Sequence, residues 1–274
     1  MTRAVASWTR SRRDLVIAAV VVVGLARLAD GDAVWLIGVL LFAAVGLGAW
    51  QVLGDEAASR IPVESGINPA VATAVSVWAL RLVPIGLVLA PALVIVGILI
   101  DRCLRIEERI AVGSHALTSS DRTALLVVAV VVGFVGFTGA AVIVPGGLAD
   151  PGSPGAASLT DQGLLVLALA DGLVATLLGY RLSVIRQANS RAAVWSAATY
   201  GGAIAIGAAA LRAIGIPRLV GPAVLTLVFF LWDAFHGASP ARRRDPRWIW
   251  QTALLVVLGI AVVAWNLRLG ASGP

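Results

Sequence analysis

One carboxylate in this sequence stands where few carboxylates are tolerated. Asp171 lies in Leu169-Ala170-Asp171-Gly172, near the middle of an apolar run. An acid at that depth in a bilayer costs on the order of 3 kcal/mol or more unless it is neutral, paired or hydrated. The chemistry it offers is proton or cation handling, with the hydroxyls of Thr138, Thr176 and Tyr200 as hydrogen-bond partners. The structural alternative is an aspartate that locks two helices together by a hydrogen bond.

A second group of residues is repeated. Ala79-Leu80-Arg81 is followed by Pro91-Ala92, and 131 residues later Ala210-Leu211-Arg212 is followed at the same distance by Pro222-Ala223. Paired guanidiniums suit phosphate and carboxylate, so Arg81 and Arg212 together offer a pseudo-symmetric anion or lipid-headgroup site. Their competing role is to snorkel to an interface and bond carbonyls freed by a nearby turn. Pro91 and Pro222 read as matched helix kinks that shape a cavity or merely a helix.

Much other chemistry is excluded. All 21 basic residues are arginine, which removes a lysine Schiff base with retinal or pyridoxal and a Walker A loop. The single Cys103 rules out a disulfide within the chain and a Cys-x-x-Cys-His haem attachment. His115 and His236 fall on one predicted side of the membrane, and no Cys/His/Asp spacing suits a structural metal. Asp233 and His236 share a helix face, and Glu107-Glu108-Arg109 reads as a solvated charge run in a connector. No nucleophile–base pair, phosphate-binding loop or nucleic-acid motif is found, so no catalytic residue, metal or cofactor is expected.

The elements that must position Asp171 and the arginines follow from composition. With 59% hydrophobic and 13% charged residues in a chain of 274, and a mean hydropathy of +0.93, there is too little polar surface to cover a soluble globule. Long unbroken apolar runs predict an all-α, polytopic integral membrane bundle. We expect about nine transmembrane helices: a tandem parallel repeat of four, plus one at the C-terminal end. The stretch from Asn68-Pro69, read as an N-cap with proline at the first helical position, to Asp101 is too long for one crossing. It is therefore split at Leu82 to Gly86, around Pro84. Gly215 and Pro217 mark the equivalent point in the second copy.

The resulting organisation is a leader over 1–13, a first repeat over 14–103 and a connector over 104–121. A second repeat over 122–236, a basic loop over 237–247 and a ninth helix over 248–274 complete it. Nine spans with a cytoplasmic N-terminus leave only Arg27, Arg81, Arg212, Arg218 and Arg268 off the inner side, and the C-terminus external. Trp50, Trp195, Trp232, Trp248 and Trp250 then line the inner interface, with Trp35, Trp78 and Trp265 towards the outer one. The seventh span, rich in Ala and Gly from Ala197 to Ala210, is expected at the centre of the bundle.

Two functions fit this object. One is a small-solute or ion carrier with its pathway between the repeats and Asp171 as the titrating group. The other is a non-catalytic scaffold or accessory subunit, packing against further copies of itself or against a membrane-complex partner. The bilayer is the expected environment in both, and nucleic acid is not an expected partner. A lipid-modifying enzyme using Arg81 or Arg212 is a weaker third, because no acid–base pair accompanies them.

Overall fold

The structure, a computed structural model, describes residues 2–54, 62–112, 118–148, 159–187, 189–213 and 220–271. Among the described residues there are helices and turns but no strand. The α-helices are α1 (Thr2–Leu25), α2 (Ala33–Gly54), α3 (Ile67–Ala79), α4 (Leu89–Val112), α5 (Ser119–Ile143), α6 (Asp161–Arg186), α7 (Ser190–Ala213), α8 (Val220–Gly237), the short α9 (Pro240–Arg243) and α10 (Pro246–Ala271).

Six of these, α2, α5, α6, α7, α8 and α10, are long and apolar enough to cross a bilayer. The other long ones fall short for identifiable reasons. Arginines crowd the first half of α1, and Asp101, Arg102, Arg105, Glu107, Glu108 and Arg109 crowd the second half of α4. At 13 residues, α3 is about 20 Å long against a hydrocarbon core of about 30 Å.

The chain folds as two compact units, residues 1–139 and 140–274. In the first, α3 is the centre: every residue from Asn68 to Trp78 is buried. Glycine permits the close approach of α2, since a Cβ on Gly66 would lie 2.7 Å from the carbonyl oxygen of Gly46. Trp78 packs against Trp35 of α2 with ring centroids 5.0 Å apart and the planes inclined at 57°, and Gly139 of α5 lies against Val75, Trp78 and Ala79. Helix α1 packs along α4, where Gly97 accommodates Val20 and Gly24 accommodates Leu93. The expected break between the third and fourth helices is present, as a 3-10 turn over Leu80–Leu82 followed by non-helical residues to Val88.

In the second unit α6 and α7 form a tightly apposed pair. Gly172 faces the carbonyl of Gly201, and Gly201 faces that of Gly172, at 3.1 and 2.9 Å from the position a Cβ would take. Helix α8 covers α7, with Phe229 against Tyr200 at 5.4 Å between centroids. Within the unit α10 rests on α8, where Gly259 meets Leu227.

Several sequence expectations need correction. Helix α3, not the small-residue α7, is buried on all sides, from Asn68 to Trp78; α7 buries one face (Ala193, Ala197, Tyr200, Gly201, Ile204, Ala208) and leaves Trp195 and Ile206 exposed. Its small residues serve one intimate contact rather than contacts all round. Pro91 is not a kink, being the third residue of α4, whereas Pro222 is the third described residue of α8 and the residues before that helix, 214–219, lie outside the described residues. A first-turn residue has no intrahelical acceptor to lose, so proline opens the helix without bending it. Asn68 is no N-cap, because helical structure already starts upstream and its side chain is turned inward. Within the leader over 1–13 α1 already begins at Thr2, and α4 runs into the connector over 104–121 as far as Val112. Trp78 belongs to the core rather than to an interfacial belt. Gly215, Pro217 and His115 lie outside the described residues.

Candidate functional site

Asp171 is 2% exposed and sits on the buried stripe of α6 with Leu167, Val174, Ala175 and Leu178. The helical spacing of three and four residues that puts those side chains on one face puts the carboxylate among them. Its Oδ1 atom is fully buried and accepts no hydrogen bond.

None of the three hydroxyls expected beside it supplies one. Thr176 donates to the carbonyl of Gly172 on its own helix at 2.7 Å, the usual way a helical threonine satisfies its hydroxyl in apolar surroundings. Tyr200 donates to Asp233 at 2.8 Å. Thr138 belongs to the first unit, where its Oγ1 is buried without a partner.

Among the described residues the charge that acts on Asp171 is Arg212, by Coulombic attraction. Arg212 stands in the last turn of α7, and its guanidinium donates to the carbonyl of Gly147 in the turn after α5. In the first unit Arg81 makes the matching contact, donating to the carbonyl of Ala29 just past the 3-10 turn that ends α1. Arg81 also meets Asp30 at 3.3 Å, but that carboxylate is 92% exposed, so the ion pair adds little. A return bond runs from Arg27 to the carbonyl of Val83 at 2.8 Å, so two guanidiniums staple the two turns reciprocally. The doubled arginines thus serve first as clamps on free backbone carbonyls.

A polar network not anticipated from the sequence ties three helices of the second unit. Arg186 of α6 donates to the carboxylate of Asp233 on α8 and, at 3.3 Å, to the hydroxyl of Tyr200 on α7. Asp233 therefore accepts from both neighbours. Outside this triad, Trp232 donates to Thr199 at 3.2 Å, and His236 stacks on Trp232 with centroids 4.7 Å apart. The available signal was opposite charge at the same predicted end of the sixth and eighth spans.

The first unit carries its own cluster. Arg12 of α1 contacts Asp101 at 3.3 Å and Glu108 at 2.9 Å on α4, and Asn68 of α3 donates to Glu107 at 3.0 Å. Glu107 is completely buried. The acidic residues of α4 are therefore internal fasteners and not the solvated run their sequence suggests; a buried carboxylate is tolerated only with such partners.

Among the described residues no group of three or more His, Cys, Asp or Glu side chains is placed to hold a metal ion. No protein-family model, curated protein or solved structure matches the chain.

Proposed function

We propose that this protein is a membrane-embedded carrier of a small solute or ion in which Asp171 is the titrating group. The observation that carries this reading is a carboxylate 2% exposed, seated on an apolar helix face with one oxygen left without a hydrogen bond. A purely structural aspartate would be expected to resemble Asp233 or Glu107, each held by named donors. An acid left without such donors gains nothing for stability, and intramembrane acids of that kind mark ion and proton pathways.

The arrangement we favour has nine crossings, the N-terminus on the cytoplasmic side and two parallel repeats of four helices followed by α10. Supporting it, Arg81 and Arg212, 131 residues apart, each stand at a helix end and donate to a backbone carbonyl in the turn after an earlier helix. The acid breaks the symmetry: the position equivalent to Asp171 is Leu40, which is exposed on α2.

The test is uptake into liposomes. Purified protein is reconstituted and offered a panel of radiolabelled amino acids, sugars and small carboxylates, with and without an imposed pH gradient. Accumulation of at least one solute above empty liposomes, abolished by Asp171→Asn, is expected. Rates equal to empty liposomes across the panel would overturn the reading.

One observation favours the alternative of a scaffold or accessory subunit. None of the apolar window of α10 is buried, although the helix is long enough to span a bilayer. A helix so placed offers a whole face to lipid or to another chain. Chemical cross-linking in native membranes, followed by identification of stoichiometric partners, distinguishes this reading from the first.

A further inference from the structure

We infer that the ion exchanged at Asp171 is a proton rather than a metal cation, with Arg212 as the positioning counter-charge. The inference deepens the carrier reading and rests on it for its consequence, the coupling of proton movement to solute movement. The exchange itself rests on the burial of the carboxyl, its oxygen without a hydrogen bond and the apolar face around it.

The first argument is the donor set. A calcium ion needs about six to eight oxygen ligands, and a magnesium ion keeps much of its water and needs room for it. The face around Asp171 offers Leu167, Val174, Ala175 and Leu178. The nearest hydroxyl along the helix, Thr176, is engaged with Gly172. On the facing helix the neighbours at this level are Gly201 and Ala205, and a Cβ on Gly172 would lie only 3.1 Å from the Gly201 carbonyl. The α6–α7 contact next to Asp171 is therefore backbone to backbone and adds no side-chain oxygen. A proton requires one carboxylate oxygen and no coordination shell.

The second argument is the charge inventory. From α7 the group acting on Asp171 is Arg212, while Arg191 lies at the opposite end of that helix. On α6 itself the nearest charged residues are Asp161 and Arg181, each ten positions away, about 15 Å along the axis. From α8, Asp233 is committed to Arg186 and Tyr200. Among the described residues Asp171 therefore has one counter-charge, and that guanidinium is observed on the Gly147 carbonyl. Two arrangements follow: a neutral carboxyl with Arg212 on Gly147, and an ionised carboxylate towards which Arg212 is drawn. The first unit has the clamp without this choice, because Leu40 stands at the equivalent position.

The experiment uses the full chain in lipid nanodiscs and N,N′-dicyclohexylcarbodiimide, which attacks protonated carboxyls in apolar surroundings. Adducts are mapped by peptide mass spectrometry from about pH 5 to about pH 9, a range that brackets ordinary and shifted carboxyls. Glu107 and Asp233, buried but hydrogen-bonded, are internal comparators. Labelling of Asp171 is expected to exceed both and to fall, by up to about tenfold per pH unit, once deprotonation sets in. Sodium, potassium or magnesium chloride at fixed pH should give no protection beyond that of choline chloride. In Arg212→Gln the ionised form loses its counter-charge, so labelling should persist to higher pH. Absence of an adduct, labelling that does not change with pH, protection by one metal cation, or an unaltered profile in Arg212→Gln would each overturn the inference. A failed uptake assay with intact pH-dependent labelling would instead remove the carrier reading and leave proton exchange standing.

Discussion

Arg212 donates to the carbonyl of Gly147, 65 residues before it, and so fastens the end of α7 to the turn that follows α5. Arg81 does the same for Ala29 at the end of the first helical run. A hydrogen bond from a charged donor contributes about 1.5–3 kcal/mol, and leaving its acceptor buried and unmade costs a similar amount. Arg81→Gln and Arg212→Gln should therefore each lower the stability of the protein in detergent by about 1–3 kcal/mol. Tryptophan fluorescence during denaturant unfolding measures this, and an unchanged midpoint in both variants contradicts the clamp role.

The Arg186–Tyr200–Asp233 network should respond unequally to its parts. Tyr200→Phe removes one donor from Asp233 but leaves the ion pair, for a loss of about 1 kcal/mol. Asp233→Asn strands a guanidinium whose side chain is only 24% exposed, and removing one partner of a largely buried pair costs about 3–5 kcal/mol. The order of the two losses is the prediction, and equal losses would argue against a shared carboxylate.

How much of this was legible in the sequence depends on the kind of signal. The long apolar runs, the break around Pro84 and the buried position of Asp171 followed from hydropathy and proline chemistry, which are local. The partners of Asp171 did not. Thr176 turned to its own backbone and Tyr200 to Asp233, because a hydroxyl's choice depends on which neighbour is in reach after packing. Glu107 looked solvated because charge runs usually are, yet it is buried and accepts from Asn68, a residue itself taken for a helix cap. Pro91 was read as a kink but stands in the first turn of α4, since helix starts are the least local of these signals. The same holds for α7, whose small residues announced close packing without saying on how many sides.

Glycine at the α2–α3 contact is required by distance rather than by backbone conformation. A Cβ on Gly66 would sit 2.7 Å from the Gly46 carbonyl oxygen, an atom fixed in a helix, whereas one on Gly202 would meet nothing within 4 Å. Gly66→Ala should destabilise by about 1–3 kcal/mol through forced separation of the helices. Gly202→Ala should be neutral or gain up to about 1 kcal/mol from helix propensity. Thermal unfolding of the two variants side by side checks this, and equal behaviour would show that the α2–α3 contact yields freely.

The favoured topology makes its sharpest prediction at the short first-unit helices. If α3 and α4 cross as a hairpin, residues 83–88 emerge on the side opposite the N-terminus, although α3 alone spans about 20 Å. That shortfall is made up by the flanking 3-10 turns Val63–Gly66 and Leu80–Leu82 and by protein, not lipid, around its eleven consecutive buried residues. In a Cys103→Ser background, single cysteines at Asp32, Val88 and Thr160 should react with a membrane-impermeant maleimide from outside the cell. Cysteines at Ser119, Asn189 and Ser239 should react only after permeabilisation. Reaction of the Val88 position only from inside would make α3 and α4 a re-entrant pair. Two crossings would then be lost from the first unit, and the parallel relationship of the two arginine-clamped halves would survive only if Ser119 kept its predicted side.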